Sequence, residues 1–260
     1  ARRFPAGLSA GKGPHIRSPL GESGRLEHHF SDVALALAVL ARRARCGFGG
    51  GLPVSYTRTN TALVIFAKAP VAGSAKTRLI PALGAQGAAA LAQRLLDHAV
   101  HIGMEAGFDY CELCATPDHS HAAFQRLAAS YPLMLTAQGE GDLGERMHRA
   151  LSRVLADHAR VLLVGTDVPA LTPAVLREAA AALDTCDAVF VPALDGGYAL
   201  VGLTGAHAEL FTEMPWSTPQ VMQATRARAR AAEVTWTELA PLADIDEPAD
   251  LVHLPEGWLA

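Results

Sequence analysis

Cationic side chains crowd one short loop directly after an apolar run. The stretch AKAPVAGSAKTRL, residues 67–79, follows the apolar residues 63–66. An arginine suits a bidentate grip on phosphate oxygens, and a lysine supplies a point charge. We therefore predict that Lys68, Gly73, Lys76 and Arg78 contact a phosphate group.

This loop is not a Walker A loop. That motif, G-x-x-x-x-G-K-[ST], needs glycines where backbone amides must close on phosphates. Counting back from Lys76, those two positions hold Pro70 and Ala75. Proline also lacks an amide donor, so the phosphate contact must come mainly from the cationic side chains.

Carboxylates follow two other predicted strands. VLLVG runs into Asp167, and AVFVP runs into the turn that begins at Asp195. Ligands of open α/β sheets bind outside the carboxyl ends of the strands. Cations and carboxylates meeting there predict a nucleoside phosphate with Mg²⁺ or Mn²⁺, which takes carboxylate oxygens. Asp167 is thus a candidate metal ligand, although it could instead make an Asx-type turn before Pro169.

The sequence Asp195-Gly196-Gly197-Tyr198 has two interpretations. Asp-Gly and Gly-Gly are preferred hairpin turns, and apolar strands flank them here. Glycine also permits a close approach to a ligand, so the turn is a candidate substrate contact as well.

A second glycine-rich stretch, QGEGDLGERM at residues 138–147, leads into a helix. Asp142 and Glu145 have the spacing of a capping box. Gly141 and Gly144 leave backbone amides near the helix N-terminus, where anions and base edges bind. We predict capping and, in addition, a contact with nucleotide.

The stretch MPWSTPQ, residues 214–220, also precedes a predicted helix. Ser217 and Gln220 fit a capping box, while Thr218 before Pro219 fits a cap followed by proline. Trp216 either packs in the core or forms a stacking wall for a sugar or base. We include Trp216, Ser217 and Thr218 among the candidate substrate contacts.

The stretch DIDEPADL, residues 244–251, places an acidic group near the last predicted strand. Asp246 is positioned to cap a short helix. Its acidity makes it alternatively a second metal ligand or a ribose contact.

Alternating strand and helix patterns position these residues. The predicted strands are Ala62–Phe66, Tyr110–Ala115, Leu133–Thr136, Val161–Val164, Ala188–Val191, Ala199–Leu203 and Val234–Trp236. Between them lie apolar helical stripes formed by Leu91, Leu95, Ala99 and Ile102 and by Leu143, Met147, Leu151 and Leu155. Thr172-Pro173 reads as a helix start. The pattern predicts an α/β fold with a mostly parallel central sheet and helices on both faces.

Composition narrows the class of protein. The 260 residues are 50% hydrophobic with a formal net charge of −4, which argues against nucleic acid as a partner. The apolar run at 33–41 is too short for a membrane span, so we expect a cytoplasmic protein. Residues 1–58, rich in Gly, Pro, Arg and His, predict a poorly ordered extension with one short helix, and residues 59–260 predict the working domain.

Six motifs, in order along residues 61–254, resemble the bacterial DUF2064 group of the GT-A-like nucleotide-diphospho-sugar transferase superfamily. They are FAKAPVAGSAKTRL, GDLGERM, GTDVPAL, DGGYALVGL, MPWST and DIDEPADL. The same layout is similar to molybdenum-cofactor and phospholactate guanylyltransferases. The resemblance implies a Rossmann-like GT-A domain that binds a nucleotide or nucleotide-sugar donor through a divalent metal.

The resemblance also implies roles for the candidate residues. Lys68, Lys76 and Arg78 would hold the donor phosphates, and Asp167 would occupy the metal-binding position. The 139–146 loop would meet the base or ribose, and the 195–198 turn the transferred group. Many superfamily members use a D-x-D metal motif, but here Thr166 and Gly165 precede Asp167, and a D-x-D occurs only at 244–246.

Three functions remain open at this point. The first is a metal-dependent glycosyltransferase, in which Asp195 orients or deprotonates the hydroxyl of a small-molecule acceptor. The second is a nucleotidyltransferase that releases pyrophosphate from a nucleoside triphosphate, with Lys76 and Arg78 clamping the triphosphate. The third is a nucleotide-binding module without turnover, which has no evident use for carboxylates aimed at a metal.

Overall fold

The computed structural model describes residues 60–259. The predicted extension over residues 1–58 lies outside the described residues and stays a prediction. None of the helices within residues 60–259 is both long and apolar enough to cross a membrane.

Seven strands and five α-helices alternate along the described chain. The strands are β1 (Thr61–Lys68), β2 (Tyr110–Thr116), β3 (Met134–Ala137), β4 (Arg160–Val164), β5 (Ala188–Pro192), β6 (Tyr198–Leu203) and β7 (Trp236–Glu238). The α-helices are α1 (Ile80–Ala106), α2 (Ala122–Ser130), α3 (Leu143–Leu155), α4 (Pro173–Ala182) and α5 (Val221–Ala231). Short 3₁₀ helices cover Thr77–Leu79, Ala208–Leu210 and Pro248–His253.

All seven predicted strands exist, but the last is displaced along the chain. The prediction placed it at Val234–Trp236, whereas β7 covers Trp236–Glu238. The Val234 backbone N–H donates to the Ala229 carbonyl at the end of α5, at 2.9 Å. Val234 therefore completes the helix terminus and is not available to the sheet.

The strands form one sheet in the order β3-β2-β1-β4-β6-β5-β7. Strand β6 is antiparallel to both of its neighbours, and the other pairs are parallel. This arrangement confirms the predicted mostly parallel α/β sheet. The carboxyl ends of six strands and the amino end of β6 therefore share one edge, where ligands of such sheets bind.

Helices cover both faces of the sheet. Along β1, Leu63 and Ile65 belong to one buried cluster, and Val64 and Phe66 belong to another. The first cluster packs against α1, α2 and α4, and the second against α3 and α5. Because the side chains of a strand alternate between faces, a run of apolar residues such as 62–67 is what a doubly covered strand requires.

The predicted helical stripes are the packed faces of their helices. The stripe on α1 is buried throughout, and that on α3 is buried at Met147 and Leu151 and half-buried at its ends. The predicted start of α4 is confirmed, because the Thr172 hydroxyl accepts a hydrogen bond from the Val175 backbone N–H. These helices fix the loops that reach the shared strand edge.

Candidate active site

A cavity of about 480 Å³ opens at the shared strand edge. It extends from Gln138 after β3 to Ala193 after β5 and so crosses six adjacent strands. At about 4.8 Å per strand, the five gaps span roughly 24 Å. Of the predicted site residues, the lining includes Lys68, Asp167, Asp195, Gly197, Tyr198, Trp216, Ser217, Thr218 and Asp246.

The cationic loop after β1 forms a second, adjoining cavity of about 220 Å³. Lys68, Lys76 and Arg78 line it together with Asp167 and Asp246. The cations and carboxylates that the sequence places at separate strand ends therefore do meet. Gly73 has a φ of 83°, a left-handed backbone that favours glycine, and it shapes the loop from outside the lining.

Lys76 is the most enclosed of the three cations. Its side chain is 7% exposed, and its Nζ lies 2.8 Å from Asp167 Oδ1 and 3.8 Å from Asp246 Oδ1. The same Nζ donates to the Ile245 carbonyl oxygen at 2.5 Å. Lys68, the last residue of β1, is bonded differently, because its Nζ donates to the carbonyl of Ser74 in the following loop, at 2.7 Å.

Arg78 is paired with the C-terminal acidic segment. Its Nη1 lies 2.6 Å from Asp246 Oδ2 and 3.8 Å from Glu247 Oε1. The Arg78 side chain is 60% exposed, so solvent screens these pairs. A phosphate group entering the adjoining cavity would have to compete with Asp246 for this guanidinium.

Ile245 brings the acidic segment to the site. Its side chain is fully buried in a small cluster with Leu79, Leu91 and Leu95. Its backbone N–H donates to the Asp167 carbonyl at 2.9 Å. The D-x-D at 244–246 is therefore in direct contact with the loop after β4, although it lies far away along the chain.

The predicted capping role of Asp246 is wrong. The 3₁₀ helix Pro248–His253 is capped by Glu247, which forms a reciprocal capping box with Asp250. The Asp246 carboxylate instead contacts Lys76 and Arg78, because Ile245 anchors the preceding backbone beside them.

The donor set at this point fits a divalent cation that the substrate helps to bind. Asp167 and Asp246 each place one carboxylate oxygen within 4 Å of the same Lys76 nitrogen. Among residues 60–259 there is no cluster of three His, Cys, Asp or Glu side chains able to hold a metal. Mg²⁺, however, is often held by one or two carboxylates plus substrate phosphates.

The predicted hairpin turn between β5 and β6 is confirmed. The Asp195 Oδ1 accepts a hydrogen bond from the Gly197 N–H at 2.8 Å. Gly196 has a φ of 93°, and a Cβ there would lie 2.2 Å from the Pro219 carbonyl oxygen. Gly196 thus permits the turn to pack against the chain before α5. Asp195 is exposed and forms part of the cavity lining.

Asp244 is a carboxylate that the sequence analysis left without a role. It lines the cavity with Asp195 and Asp246. Burial, and next the nearby charge of Asp195, raise the pKa of the Asp244 carboxyl above its ordinary value. The D-x-D spacing was the available signal, but its position near the C-terminus did not indicate this site.

The glycine-rich stretch before α3 starts the helix as predicted. Asp142 and Glu145 form the reciprocal capping box. A Cβ on Gly144 would lie 2.3 Å from the Phe211 carbonyl oxygen and 2.8 Å from Trp216 Nε1, so Gly144 permits close packing. The predicted nucleotide contacts Gly141, Asp142, Gly144 and Glu145 lie beside the cavity lining, which takes Leu143, Arg146 and Met147 from this helix.

Gln138 and Arg146 form a polar end of the cavity; the sequence placed Arg146 in the 139–146 loop expected to meet the base or ribose, but it gave neither residue an individual role. Gln138 is 5% exposed, and its Nε2 donates to the backbone carbonyls of Cys114 and Ala67, at 3.1 and 3.4 Å. Its Oε1 accepts from Arg146 Nη1 at 3.0 Å. A buried amide committed to backbone partners holds this arginine at the end of β3.

The predicted Ser217–Gln220 capping box of α5 is wrong, and the predicted Thr218 cap is present only as one long hydrogen bond before the helix. The helix begins at Val221 with Gln220 as its N-cap, and the Gln220 side chain makes no capping bond. The Thr218 hydroxyl oxygen, however, accepts a hydrogen bond from the Gln220 N–H at 3.4 Å. Ser217 has a φ of 61°, and the Thr218 hydroxyl donates to the Pro215 carbonyl at 2.7 Å. These residues form a tight turn before the helix, and the turn lies in the cavity lining.

Aromatic side chains line the same end of the cavity. The rings of Tyr198 and Trp216 meet edge to face, with centroids 6.3 Å apart. Both rings also pack against the buried cluster on the α3 and α5 face of the sheet. The two interpretations of Trp216 are therefore compatible, since it contacts the core and borders the cavity.

Comparison with known proteins gives a match to one family model over part of the chain and a likeness to solved structures of similar fold. The family model described as "Uncharacterized protein conserved in bacteria (DUF2064)" matches residues 99–218. No protein of curated function matches the sequence.

Among solved structures, a proposed nucleotide-diphospho-sugar transferase from Desulfovibrio desulfuricans G20 has 29% identity and a TM-score of 0.68, covering 74% of this chain and 85% of its own. A nucleotidyl transferase from Methanothermobacter thermautotrophicus has 16% identity and a TM-score of 0.51, covering 76% and 97%; at this identity the likeness concerns the fold alone. The resemblance of the chain to the DUF2064 family, over residues 99–218, and to the nucleotide-diphospho-sugar transferase fold is therefore confirmed.

Proposed function

We propose that the protein is a metal-dependent glycosyltransferase that uses a nucleotide-sugar donor and a small-molecule acceptor. The carrying observation is the layout of the cavity, with Gln138 and Arg146 at one end, Asp167 and Asp246 between, and Asp195 at the other end. This order matches base, diphosphate and sugar laid along the strand edge. The Desulfovibrio relative supports the same class of donor.

The charges of the cavity favour a diphosphate over a triphosphate. Among the described lining residues, the cations are Lys68 and Arg146, against four aspartates, at positions 167, 195, 244 and 246. A nucleoside triphosphate brings more negative charge into this lining than a nucleotide sugar does. The donor with the smaller charge therefore fits the electrostatics better.

The proposed binding follows the chemistry of each part. The base or ribose lies by Arg146, and Lys68 contacts a donor phosphate. The aromatic pair Tyr198 and Trp216, with Ser217 and Thr218 in the adjoining turn, borders the transferred sugar. Mg²⁺ or Mn²⁺, held by Asp167 and Asp246 with the donor phosphates, would neutralise charge on the leaving diphosphate.

Asp195 is the proposed catalytic residue for the acceptor. Its Oδ1 is held by the Gly197 N–H, so Oδ2 is the oxygen available to an acceptor hydroxyl. The acceptor oxygen bonds to the anomeric carbon of the sugar, the bond from that carbon to the diphosphate oxygen breaks, and Asp195 takes the hydroxyl proton. The nucleoside diphosphate leaves.

A nucleotidyltransferase is the second candidate, favoured by the adjoining 220 Å³ cavity. There three cations, Lys68, Lys76 and Arg78, surround one space beside Asp167. A pyrophosphate leaving group would suit that concentration of positive charge, provided that Lys76 and Arg78 leave their present carboxylate partners.

One product analysis separates the two chemistries. The purified protein is incubated with Mn²⁺ or Mg²⁺, a panel of nucleotide sugars and nucleoside triphosphates, and cell extract as the acceptor source. ³¹P NMR then reports the phosphate product. Nucleoside diphosphate formed from a nucleotide sugar supports the proposal, whereas pyrophosphate formed from a triphosphate replaces it with the second candidate.

A reaction without the purified protein measures the activities of the extract, and the Asp195→Asn variant tests the catalytic role. It keeps the size of the side chain and an oxygen that can accept the Gly197 N–H bond, but it cannot take a proton. Product that persists undiminished with this variant contradicts the role of Asp195. Donor binding without any product, at every acceptor fraction, would favour a binding module.

A further inference from the structure

An ammonium group occupies the place where the carboxylates would hold a cation. Lys76 Nζ has three oxygen neighbours, from Asp167 at 2.8 Å, Asp246 at 3.8 Å and the Ile245 carbonyl at 2.5 Å. Carboxylate and carbonyl oxygens are the donors that hard divalent cations take. The donor set that fits Mg²⁺ or Mn²⁺ is thus assembled around a lysine.

The surrounding structure holds the Lys76 ammonium group in place. The Lys76 side chain is 7% exposed, and its backbone has φ 48° and ψ 45°. A non-glycine residue keeps this left-handed conformation only when the surrounding structure holds it there, and such strain concentrates at functional sites. The contacts to Asp167 and to the Ile245–Asp246 segment are the restraints present.

We infer that Lys76 is a built-in cation, which joins Asp167 to Asp246 in the absence of metal and which a divalent cation must displace. This inference rests on the proposed function, in which a divalent metal binds together with the nucleotide donor. The Lys76 ammonium and a divalent cation repel each other at such short range, so the two cannot share the same carboxylate oxygens.

Displacement gives Lys76 a second position with a different partner. The sequence predicts that Lys76 contacts phosphate, whereas in the structure it contacts carboxylates. Lys76 makes both contacts in turn if the metal binds the two carboxylates and the released ammonium then binds a donor phosphate in the adjoining cavity. Metal alone then binds weakly, and metal and nucleotide strengthen each other's binding.

The first test measures Mn²⁺ affinity on the full chain without nucleotide, by EPR of free Mn²⁺. Lys76→Met removes the charge and keeps an unbranched side chain. We expect its Mn²⁺ affinity to exceed the wild-type value about ten-fold or more, since close-range repulsion of this kind is worth at least one decade. Equal or lower affinity in a variant with an unchanged urea midpoint overturns the inference.

Lys68→Met is the matched control. Lys68→Met also removes one positive charge that lines the adjoining cavity, but the Lys68 Nζ contacts a carbonyl oxygen and neither carboxylate. We expect its Mn²⁺ affinity to change less than about two-fold, because solvent screens an exposed charge. An increase as large as that of Lys76→Met would mean that general charge, not displacement, sets the affinity.

A second test needs no variant and therefore holds if Lys76→Met does not fold. The wild-type chain is acylated at lysine with and without Mn²⁺, and mass spectrometry reports the rate at each lysine. We expect Mn²⁺ to speed labelling of enclosed Lys76 several-fold while exposed Lys68 labels at a constant rate. An unchanged Lys76 rate at saturating Mn²⁺ overturns the inference.

These outcomes are independent of catalysis, because neither test contains a nucleotide or an acceptor. A transferase with normal turnover whose Lys76→Met variant binds Mn²⁺ no more tightly would refute the inference alone. Displacement of Lys76 by Mn²⁺ in a protein that yields no transfer product would refute the proposed function alone.

Discussion

Removing the guanidinium of Arg153 should destabilise the fold and reverse one of its responses to pH. The Glu112 carboxylate on β2 is fully buried and receives two hydrogen bonds from Arg153, at 2.8 and 2.6 Å. Thr136 and Tyr110 donate further bonds, at 2.5 and 2.8 Å. Arg153→Met keeps the aliphatic packing and leaves this charge without its counter-ion.

The expected loss of unfolding free energy follows from the groups that remain around the Glu112 carboxylate. Leaving a buried charge without its partner costs about 3–5 kcal/mol. The Arg153 side chain is 44% exposed and two hydroxyl donors stay, so we expect about 3 kcal/mol, the lower end of that range. Arg126→Met is the control, because its pair with Asp97 is half-exposed on both sides and should be worth about 1 kcal/mol at most.

The pH response has a definite sign. Burial by itself would raise the pKa of Glu112, but the hydrogen bonds from Arg153, Thr136 and Tyr110 outweigh burial and lower it. A lowered folded-state pKa contributes stability above the unfolded pKa, and this is lost as the pH falls through the folded value. Without Arg153 burial dominates and the pKa of Glu112 rises, so the variant should instead gain stability on acidification.

Urea unfolding of the wild type and of Arg153→Met between pH 5 and pH 8 measures this pH dependence of stability. The free-energy difference between wild type and Arg153→Met should be larger at pH 8 than at pH 5. Adding Glu112→Gln to the variant should recover part of the loss, because it removes the buried charge. A loss below about 1 kcal/mol, or a difference that does not depend on pH, would refute the reasoning.

Three further changes test the site. Gly144→Ala should lower the free energy of unfolding by about 1–3 kcal/mol through overpacking against the Phe211 carbonyl. Helix propensity alone predicts that the same change raises stability, and urea unfolding shows which effect is larger. Ile245→Ala should cost about 2–5 kcal/mol of stability and weaken Mn²⁺ binding measured by EPR, since Ile245 anchors Asp246; unchanged Mn²⁺ affinity would contradict that. Arg78→Ala should lower kcat/KM for the identified donor about 10²-fold, the scale of one lost charge-stabilising donor, and near-normal turnover would exclude Arg78 from the site.

The fold was predictable because its strands stand out in the sequence as short runs of apolar residues. The apolar run at 62–67 is buried on both faces, and few structures other than a covered parallel strand require such a run. The hairpin signal at Asp195-Gly196-Gly197 correctly indicated that β6 turns back along β5. The start of β7 was missed because a backbone bond at Val234 belongs to the end of α5, which residue types do not reveal.

The site was predictable only where its residues follow strands directly. The topology rule identified Lys68, Asp167 and Asp195 as neighbours at one edge, and all three line the cavity. The individual roles of Gln138 and Arg146 were not predicted, although Arg146 lies in the 139–146 loop expected at the base or ribose, because the two residues act through a bond between side chains eight residues apart. A glutamine before a glycine-rich stretch carries no such information by itself.

The acidic segment shows how tertiary contacts override a local rule. Asp246 and Glu247 are adjacent carboxylates before the same 3₁₀ helix, and the sequence predicted Asp246 as the cap. Charge-assisted bonds are roughly twice as strong as neutral ones, and buried Ile245 holds Asp246 beside Arg78 and Lys76. Asp246 therefore pairs with cations, and Glu247 caps the helix with Asp250. The adjacent acid therefore provides the cap that the sequence pattern had predicted for Asp246.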